Sequence, residues 1–416
     1  MPDQIQRDPA IRRAPVLDAA ASGRRVGTPS EVFVAFLKLG CTAFGGPIAH
    51  LGYFQSEFVA RRKWIDEEAY ADLVALCQFL PGPASSQVGL ALGWKRAGWA
   101  GALAAWLAFT APSAILMVAF AYGVRIVGDL SHAGWVQGLK VAAVAVVAQA
   151  VWTMARKLCP DAPRATIAVA SAIVLAIFTT SWMQLVVIAG GAIAGGLLGR
   201  WFSIEKTGPP PPPPRRAVYG HICLGLFLGL LVALPWLARV WPVAPLRVFD
   251  GFYRSGALVF GGGHVVLPLL QQATVARGWL DSDTFLAGYG AAQALPGPLF
   301  AFSAFLGAVI APGGIVGALL ALGAIYLPAV LVLFGTLPQW DRLRSFPHAR
   351  VLLAGANAAV VGLLGAAFYS PIWTSTITEP KRLALMLAAY AALQFWRMPP
   401  WFIVGACAAF GSFWLG

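Results

Sequence analysis

Apolar segments separated by short polar stretches follow one another along the chain from about residue 31 onward. Six of them precede a proline-rich stretch and lie at about 31–59, 68–93, 97–124, 133–153, 164–182 and 184–202. After that stretch, seven more lie at about 219–238, 248–276, 283–309, 313–337, 349–369, 381–396 and 399–415. A helix needs about 20 apolar residues to cross a bilayer. The pattern therefore predicts an all-α polytopic membrane protein with about 13 hydrophobic segments arranged as six, one and six.

The polar stretches that interrupt this pattern divide the chain. Residues 1–30 are polar and rich in arginine, which predicts a basic cytoplasmic tail rather than a cleaved signal peptide. Residues 203–218 contain six consecutive prolines, Pro209–Pro214. A proline run has no internal hydrogen bonds and cannot span a membrane, so this stretch is predicted to be a cytoplasmic linker.

The two groups of six segments are copies of one unit. Phe36–Pro83 aligns with Phe252–Pro298 with one gap near Arg62, and both stretches end in Leu-Pro-Gly-Pro. Equivalent positions include Lys38 with Arg254, Gly40 with Gly256, Gln55 with Gln271, Arg61 with Arg277, Asp66 with Asp281 and Pro112 with Pro328. Shared hydrophobicity does not explain matched glycines, prolines and charges. We therefore predict an N-terminal repeat over 31–202 and a C-terminal repeat over 248–416.

The unmatched segment 219–238 sets the relative orientation of the two repeats. Each repeat has an even number of segments, so one additional crossing between them turns the second repeat upside down. Inverted repeats are typical of secondary transporters, whose binding site lies near the bilayer midplane between the copies. The chain is accordingly predicted to have two homologous halves of inverted topology joined by an inverting transmembrane helix.

Composition and charge agree with this reading. Hydrophobic residues make up 59% of the chain and charged residues 11%, and a soluble domain carries about 25% charged residues. With thirteen crossings and a cytoplasmic N-terminus, the predicted cytoplasmic stretches hold 19 Lys and Arg against 8 outside. This asymmetry follows the positive-inside rule and explains the net charge of +13 without a nucleic-acid partner. It places the C-terminus outside the cell.

Gly and Pro interrupt the first two segments of each repeat. The interruptions fall at Gly45-Gly46-Pro47 and Pro81-Gly82-Pro83, and again at Gly261-Gly262-Gly263 and Pro296-Gly297-Pro298. Non-helical backbone at membrane depth is tolerated where it lines a cavity, and helices that begin beside such breaks direct their N–H groups at anions. Ordinary kinks are the alternative. We expect broken helices that line an anion site, and whether these four segments span fully or are re-entrant stays open.

Polar residues inside apolar segments are the candidates for substrate binding. Lys38 and Arg254 occupy equivalent positions shortly before the first break of each repeat, where a cation is costly unless it faces a cavity or a partner. Snorkelling to the interface is the alternative for both. Lys140, with Asn357 at the equivalent position, is a third such cation. Gln78 and Gln293 lie just before the Pro-Gly-Pro breaks and could hydrogen-bond a substrate.

Candidates for proton coupling are fewer. Glu57, Asp72, His50 and His264 lie in or beside the broken segments. The five cysteines are scattered without a Cys-x-x-Cys motif, and the chain has no nucleotide-binding glycine motif. We therefore expect no cofactor, no metal site and no catalytic activity.

At these same residues the chain resembles the chromate ion transporter family, in its long form with two fused domains. The resemblance rests on FGGPIAHLGYFQSEFV from Phe44, the run Gln78–Pro83, and their second-half forms FGGGHVVLPLL and Gln293–Pro298. It extends over about residues 31–416. It implies an exporter in the bacterial cytoplasmic membrane that carries chromate, with sulfate as a second candidate, and that confers chromate resistance.

Other functions fit parts of the pattern. One is an importer of sulfate or another oxyanion with the same architecture. An anion channel would saturate poorly, and a chromate reductase would need clustered cysteines or a cofactor motif. The lipid bilayer is the expected surroundings, and a homodimer is left open. Since the cell interior is negative, export of a dianion needs no ATP, and we expect it to be driven by the membrane potential, with proton antiport as an addition.

Overall fold

The computed structural model describes residues 27–44, 46–127, 133–178, 183–202, 218–260, 265–339 and 347–415. Within these residues the chain is helical, with no strand. The N-terminal tail and nearly all of the proline-rich linker lie outside the described residues. So do Gly45, Gly261, Gly262 and His264, four of the residues proposed above for the site.

The N-terminal repeat begins with two broken pairs of helices. They are α1 (Pro29–Thr42), α2 (Gly46–Phe54, continued as a π-helix to Arg61), α3 (Glu67–Phe79) and α4 (Ala84–Val127). The α4 helix is kinked at Ala97 and Gly98, where the backbone is not helical. Three further helices complete the repeat, α5 (Gly134–Leu158), α6 (Ala162–Ile177) and α7 (Met183–Leu198).

The C-terminal repeat has the same order of helices. It follows the unmatched helix α8 (Val218–Val240) and consists of α9 (Ala244–Ala257), α10 (Val266–Thr274), α11 (Ser282–Ala294), α12 (Phe302–Val309), α13 (Gly314–Thr336), α14 (Pro347–Ala367), α15 (Pro380–Gln394) and α16 (Pro400–Trp414). A π-helix, Phe368–Trp373, extends α14. The helices α12 and α13 together correspond to the two parts of the kinked α4.

Local signals set several of these helix ends identically in both repeats. The Asp66 side chain accepts a hydrogen bond from the Ala69 N–H over 2.8 Å at the start of α3. The equivalent Asp281 accepts from the Thr284 N–H over 2.8 Å at the start of α11. An acidic N-cap satisfies backbone donors that the helix leaves free. Matched caps thus begin matched helices, as the internal duplication predicts.

Among the residues that the structure describes, five helical stretches are long and apolar enough to cross a membrane. They are Ala84–Val124, Gly134–Leu158, Val218–Val240, Gly314–Thr336 and Arg350–Thr376. Four of them form two equivalent pairs, and the fifth is the unmatched α8. The other apolar helices have 10–17 residues, and two of them, Ala69–Phe79 and Leu299–Val309, adjoin the predicted Pro-Gly-Pro breaks. A multi-pass membrane protein with two repeats follows, whereas the division into thirteen segments stays a prediction.

Equivalent helices of the two repeats make reciprocal contacts across the interface between the repeats. Helix α5 packs on α16, and the equivalent α14 packs on α7. Close glycine contacts mark both places: a Cβ on Gly411 would meet the Gly138 Cα at 2.8 Å, and a Cβ on Gly195 would meet the Gly355 Cα at 2.9 Å. Small residues let transmembrane helices approach this closely. Contacts that recur with the repeats exchanged define a two-fold relation between the halves.

Candidate functional site

The helix breaks predicted from the sequence are present at both Pro-Gly-Pro motifs. Helix α3 ends at Phe79 and α4 begins at Ala84, while Gly82 between them has φ of +117°. In the C-terminal repeat Gly297 has φ of +95°. An L side chain is strained in this region of φ, so both positions require glycine. The break after α1 ends at Gly46, whose φ is +76°.

Each Pro-Gly-Pro break is bonded to the opposite repeat. The Gly82 N–H donates to the Val259 carbonyl over 2.7 Å, and the Gly297 N–H donates to the Ala43 carbonyl over 2.9 Å. Ala43 and Val259 are themselves equivalent, since each lies one or two residues beyond the first helix of its repeat. The two breaks are therefore joined to the opposite repeats by reciprocal hydrogen bonds.

The walls around the breaks repeat in the same way. A Cβ on Gly82 would meet the Ala329 Cβ at 2.8 Å, and a Cβ on Gly297 would meet the Ser113 Oγ at 3.0 Å. Ser113 and Ala329 each follow the proline inside the long helix of their repeat. The Gln87 side-chain amide connects the first Pro-Gly-Pro break to the opposite repeat, because it donates to the Pro81 and Ala329 carbonyls over 2.9 and 3.3 Å. The breaks are consequently built by both repeats together.

Lys38 belongs to an ionic cluster around one buried carboxylate. Its Nζ lies 3.6 Å from Glu57, which also receives Arg61 over 3.0 Å and Arg62 over 2.7 Å. The Glu57 side chain is 7% exposed and that of Lys38 is 55% exposed. Glu57 lies outside the five candidate spans. Burial favours its neutral form, but hydrogen bonds from Arg62 and Arg61 and the charge of Lys38 outweigh it and lower the pKa of the carboxyl.

Arg254 belongs to the corresponding cluster of the C-terminal repeat. It donates to Asp250 over 2.6 Å, and Arg277 lies 3.8 Å from the same carboxylate. Asp250 is 5% exposed. Each cluster thus contains an equivalent pair of cations, Lys38 with Arg61 and Arg254 with Arg277, around one buried acid. The acid comes from the π-helical end of α2 in the first repeat and from α9 in the second. Both clusters therefore contain one buried carboxylate, but the two carboxylates do not occupy equivalent sequence positions.

Two of the acids that pair with the predicted cations were missed in the sequence. Asp250 was not singled out, although its spacing of four residues from Arg254 is that of an ion pair on one helix face. Asp283, which pairs with Lys140, was also not singled out. Lys140 is 2% exposed on α5, and its Nζ lies 2.6 Å from the Asp283 carboxylate on α11. This pair joins the two repeats, and no local sequence pattern predicts it.

The other predicted site residues lie on several different helices. His50 is buried, and its Nε2 lies 3.2 Å from the Ala43 carbonyl while its Nδ1 lies 3.4 Å from the Ser85 hydroxyl. It thereby connects the two breaks of the N-terminal repeat. Gln78 is exposed at the end of α3, Gln293 is half-buried beside Tyr289, and Asp72 and Asn357 are half-buried. Within the described residues, no group of three or more His, Cys, Asp or Glu could hold a metal ion.

These features define a multi-pass helical membrane protein whose two repeats meet at interlocked breaks flanked by cation clusters. Residues 30–196 and 246–412 both match the family described as "Chromate transporter". The chain belongs to this family, and the two matches agree with the two repeats recognised in the sequence.

Relatives extend over most of the chain. The "Chromate transport protein" of Pseudomonas aeruginosa is 27% identical over 391 residues, which are 88% of this chain and 87% of that protein. That of Cupriavidus metallidurans is 25% identical over 403 residues, 95% of this chain and 96% of the relative. A "Probable chromate transport protein" of Synechococcus elongatus is 27% identical over 387 residues, 87% and 94% of the two chains. No solved structure gives a significant match.

Proposed function

We propose that this protein is a secondary transporter that exports chromate from the cytoplasm and thereby confers chromate resistance. Membership of the chromate transporter family and the names of its relatives support chromate as the cargo. Chromate is a tetrahedral dianion, and a site for it needs positive charge and converging hydrogen-bond donors. The broken helices and the matched cations suit that need.

One observation carries this proposal: both repeats hold an equivalent pair of cations around a single buried carboxylate. Such a cation can leave the protein carboxylate and pair with a substrate oxyanion instead. It then has an anionic partner in both states. Lys38 and Arg254 would then receive the substrate, and the backbone of the breaks would pass it between them. The break residues and the two glutamines complete the proposed path: Gly45, Gly46, Gln78, Pro81, Gly82, Pro83, Gly261, Gly262, Gln293, Pro296, Gly297 and Pro298.

The orientation forms part of the proposal. A cytoplasmic N-terminus with an odd number of crossings inverts the C-terminal repeat and puts the C-terminus outside the cytoplasmic membrane. The reciprocal contacts between the repeats agree with a two-fold axis in the membrane plane, as inverted repeats require. Lys38 and Arg254 would then face opposite sides of the membrane, one for entry and one for release.

The driving force follows from the charge of the substrate. Each elementary charge gains about 2.3 kcal/mol per 100 mV, so export of a dianion across ~150 mV gains roughly 7 kcal/mol. At about 1.4 kcal/mol per tenfold, this sustains on the order of a 10⁵-fold outward ratio. Proton antiport would add to this drive, with Glu57, Asp72, His50 and His264 as candidates. Glu57 is the weakest of them, because three cations favour its ionised form.

Labelled chromate uptake into inside-out vesicles tests the proposal. Uptake should respond to an imposed potential, interior positive, at zero pH gradient, and vesicles without the protein are the control. If only a pH gradient drives uptake, transport is electroneutral and the voltage-driven mechanism is wrong. The alternative function is import of sulfate or another oxyanion. Labelled sulfate accumulating in intact cells under the same expression, without loss of chromate, would favour it.

A further inference from the structure

Four buried hydrogen-bond donors lie on α4 and α13, the long helices that carry an internal proline in each repeat. They are the hydroxyls of Ser86, Thr110 and Tyr326 and the indole N–H of Trp106. The Tyr326 hydroxyl lies beside those of Ser86 and Thr110, and its ring meets the Trp106 ring edge-on with centroids 5.5 Å apart. Ser86, Thr110 and Tyr326 are 4%, 2% and 2% exposed. We call these four residues the donor cluster.

The donor cluster is not explained by the packing of the protein. None of its four polar atoms makes a hydrogen bond of regular geometry to another described protein group, although the Tyr326 hydroxyl lies within reach of the Ser86 and Thr110 hydroxyls. Hydroxyls elsewhere in the same helices are bonded in the ordinary way; Thr336, for example, donates to the Val332 carbonyl over 2.7 Å. Buried polar groups without partners destabilise a fold, so several in one place call for a functional reason.

The position of the donor cluster relates it to both repeats. Thr110 and Tyr326 occupy equivalent places, two residues before the prolines inside α4 and α13. Ser86 lies in the first turn of α4, directly after the first Pro-Gly-Pro break. First-turn N–H groups have no acceptor within their own helix and carry the positive end of its dipole. The donor cluster is therefore formed by both repeats, and the N-terminal end of α4 beside it has a polarity that favours anions.

The first helix of each repeat, which carries Lys38 or Arg254, packs against the helix that holds Thr110 or Tyr326. A Cβ on Gly40 would meet the Phe109 carbonyl oxygen at 2.9 Å, and a Cβ on Gly256 would meet the Ile325 carbonyl carbon at 3.0 Å. Those two contacted residues directly precede Thr110 and Tyr326. Lys38 and Arg254 come two residues before the two glycines, on the helices that make these contacts.

We propose that the donor cluster is a binding site for a tetrahedral oxyanion dianion, which is held there by neutral donors rather than by charges. This inference rests on the proposed function and assigns its central site. Indole can only donate and hydroxyls can donate, so the four groups can address separate oxygens of one anion. Neutral donors also hold a dianion loosely enough to release it, as transport requires. Because sulfate has the same shape and charge as chromate, it competes for this site.

Single-atom removals test the site. Thr110→Val, Ser86→Ala and Tyr326→Phe each delete one hydroxyl at nearly constant volume. Since a hydrogen bond to a charged group contributes about 1.5–3 kcal/mol, each variant should raise the KM for chromate roughly 10- to 100-fold. Matched controls are Thr336→Val and Tyr253→Phe. Their hydroxyls donate to the Val332 and Phe227 carbonyls, and their KM should stay within about twofold of wild type.

Thermal unfolding of the purified protein gives an independent readout. The two controls lose a bond within the protein, so their unfolding temperature should fall. The three donor-cluster variants lose at most a contact within the donor cluster, so their unfolding temperature should fall less than that of the controls in the absence of oxyanion. Added sulfate should raise the unfolding temperature of wild type and of both controls, and should leave the donor-cluster variants where they are.

The results separate this inference from the proposed function. If the donor-cluster variants unfold earlier like the controls and keep the wild-type KM, the hydroxyls serve the fold or hold water and the site is wrong. If wild type transports no oxyanion but sulfate still stabilises it, and the donor-cluster variants lose this effect, the site stands and the transport proposal fails. If sulfate stabilises none of the proteins and the KM values are equal, the inference is overturned.

Discussion

The backbone N–H of Gly82 donates a hydrogen bond of 2.7 Å to the carbonyl of Val259, at the end of the first helix of the opposite repeat. Its equivalent runs the other way, from Gly297 to Ala43. Each repeat therefore supplies a backbone N–H that binds the carbonyl just beyond the first helix of the other repeat. Neither break is complete within one repeat. A transporter that changes access by moving one repeat against the other would have to move this pair of bonds together.

Lys38→Gln should abolish most chromate transport with little effect on the fold. Glu57 keeps Arg61 and Arg62, and exposed ion pairs contribute at most about 1 kcal/mol. Loss of one charged contact to the substrate should lower transport about 10- to 100-fold. The measurement is initial export rate against the amount of inserted protein. Lys381→Gln, an exposed lysine at the start of α15, is the control; equal rates in both variants would contradict a substrate role for Lys38.

Arg254→Gln should behave differently, because it leaves the buried Asp250 with Arg277 alone at 3.8 Å. An uncompensated buried charge costs about 3–5 kcal/mol, so this variant should insert poorly or unfold early. Adding Asp250→Asn should restore the yield of folded protein, since no charge is then left unpaired, but should not restore transport. Recovery of export in the double variant would mean that Arg254 serves the fold only.

Gly82→Ala and Gly297→Ala should each impair folding and transport. Both glycines have positive φ and touch the opposite repeat, and strain of this kind costs about 1–3 kcal/mol. Gly190→Ala is the matched control, because a Cβ there would meet nothing within 4 Å. Unfolding temperature and export rate are measured for all three. Gly195, an apparent packing glycine, is unsuitable as a control, because a Cβ there would collide with the Val351 carbonyl.

The Lys140–Asp283 pair should show strong coupling in a double-mutant cycle. Lys140→Met alone and Asp283→Asn alone each leave a charge unpaired between the repeats, which should cost about 3–5 kcal/mol for the buried lysine. The double variant should recover most of this loss. Additive effects on the unfolding free energy would contradict an ion pair that joins the repeats.

Reporter fusions test the orientation. A reporter that is active only outside the cytoplasm should be active when it is fused after Gly416. A reporter that is active only in the cytoplasm should be active when it is inserted within Pro209–Pro214. The reason is the excess of Lys and Arg in the stretches predicted to be cytoplasmic, together with an odd number of crossings. A cytoplasmic signal from the C-terminal fusion would contradict the inverted arrangement of the repeats.

The helices and their breaks could be predicted from the sequence because their causes are local. Gly and Pro exclude helical geometry wherever they cluster, so the stretch 68–93 was recognised as broken and α3 and α4 meet at that break. Acidic caps such as Asp66 and Asp281 act within one turn. The duplication was likewise readable, because matched residues at a constant spacing do not depend on how the chain packs.

The partners of the charged residues could not be predicted in the same way. Lys38 and Arg254 are equivalent in sequence, yet their carboxylates are not: Glu57 comes from the next helix, whereas Asp250 lies one turn away on the same helix. Lys140 was recognised as an unusual buried cation, and its partner Asp283 is 143 residues distant. Pairing over such distances is set by the position of whole helices, which no local pattern encodes.

The sequence by itself determined that the chain is a duplicated helical membrane protein with four matched interruptions, because hydrophobic length, glycine, proline and repeat spacing act locally. Only the tertiary structure decided that Gly82 bonds to the opposite repeat and that Thr110 and Tyr326 approach each other. The physical reason is that close glycine contacts between α5, α7, α14 and α16 fix how the repeats face each other. Gly82 and Val259 are 177 positions apart and Thr110 and Tyr326 are 216 apart, and such residues become neighbours only once that packing exists.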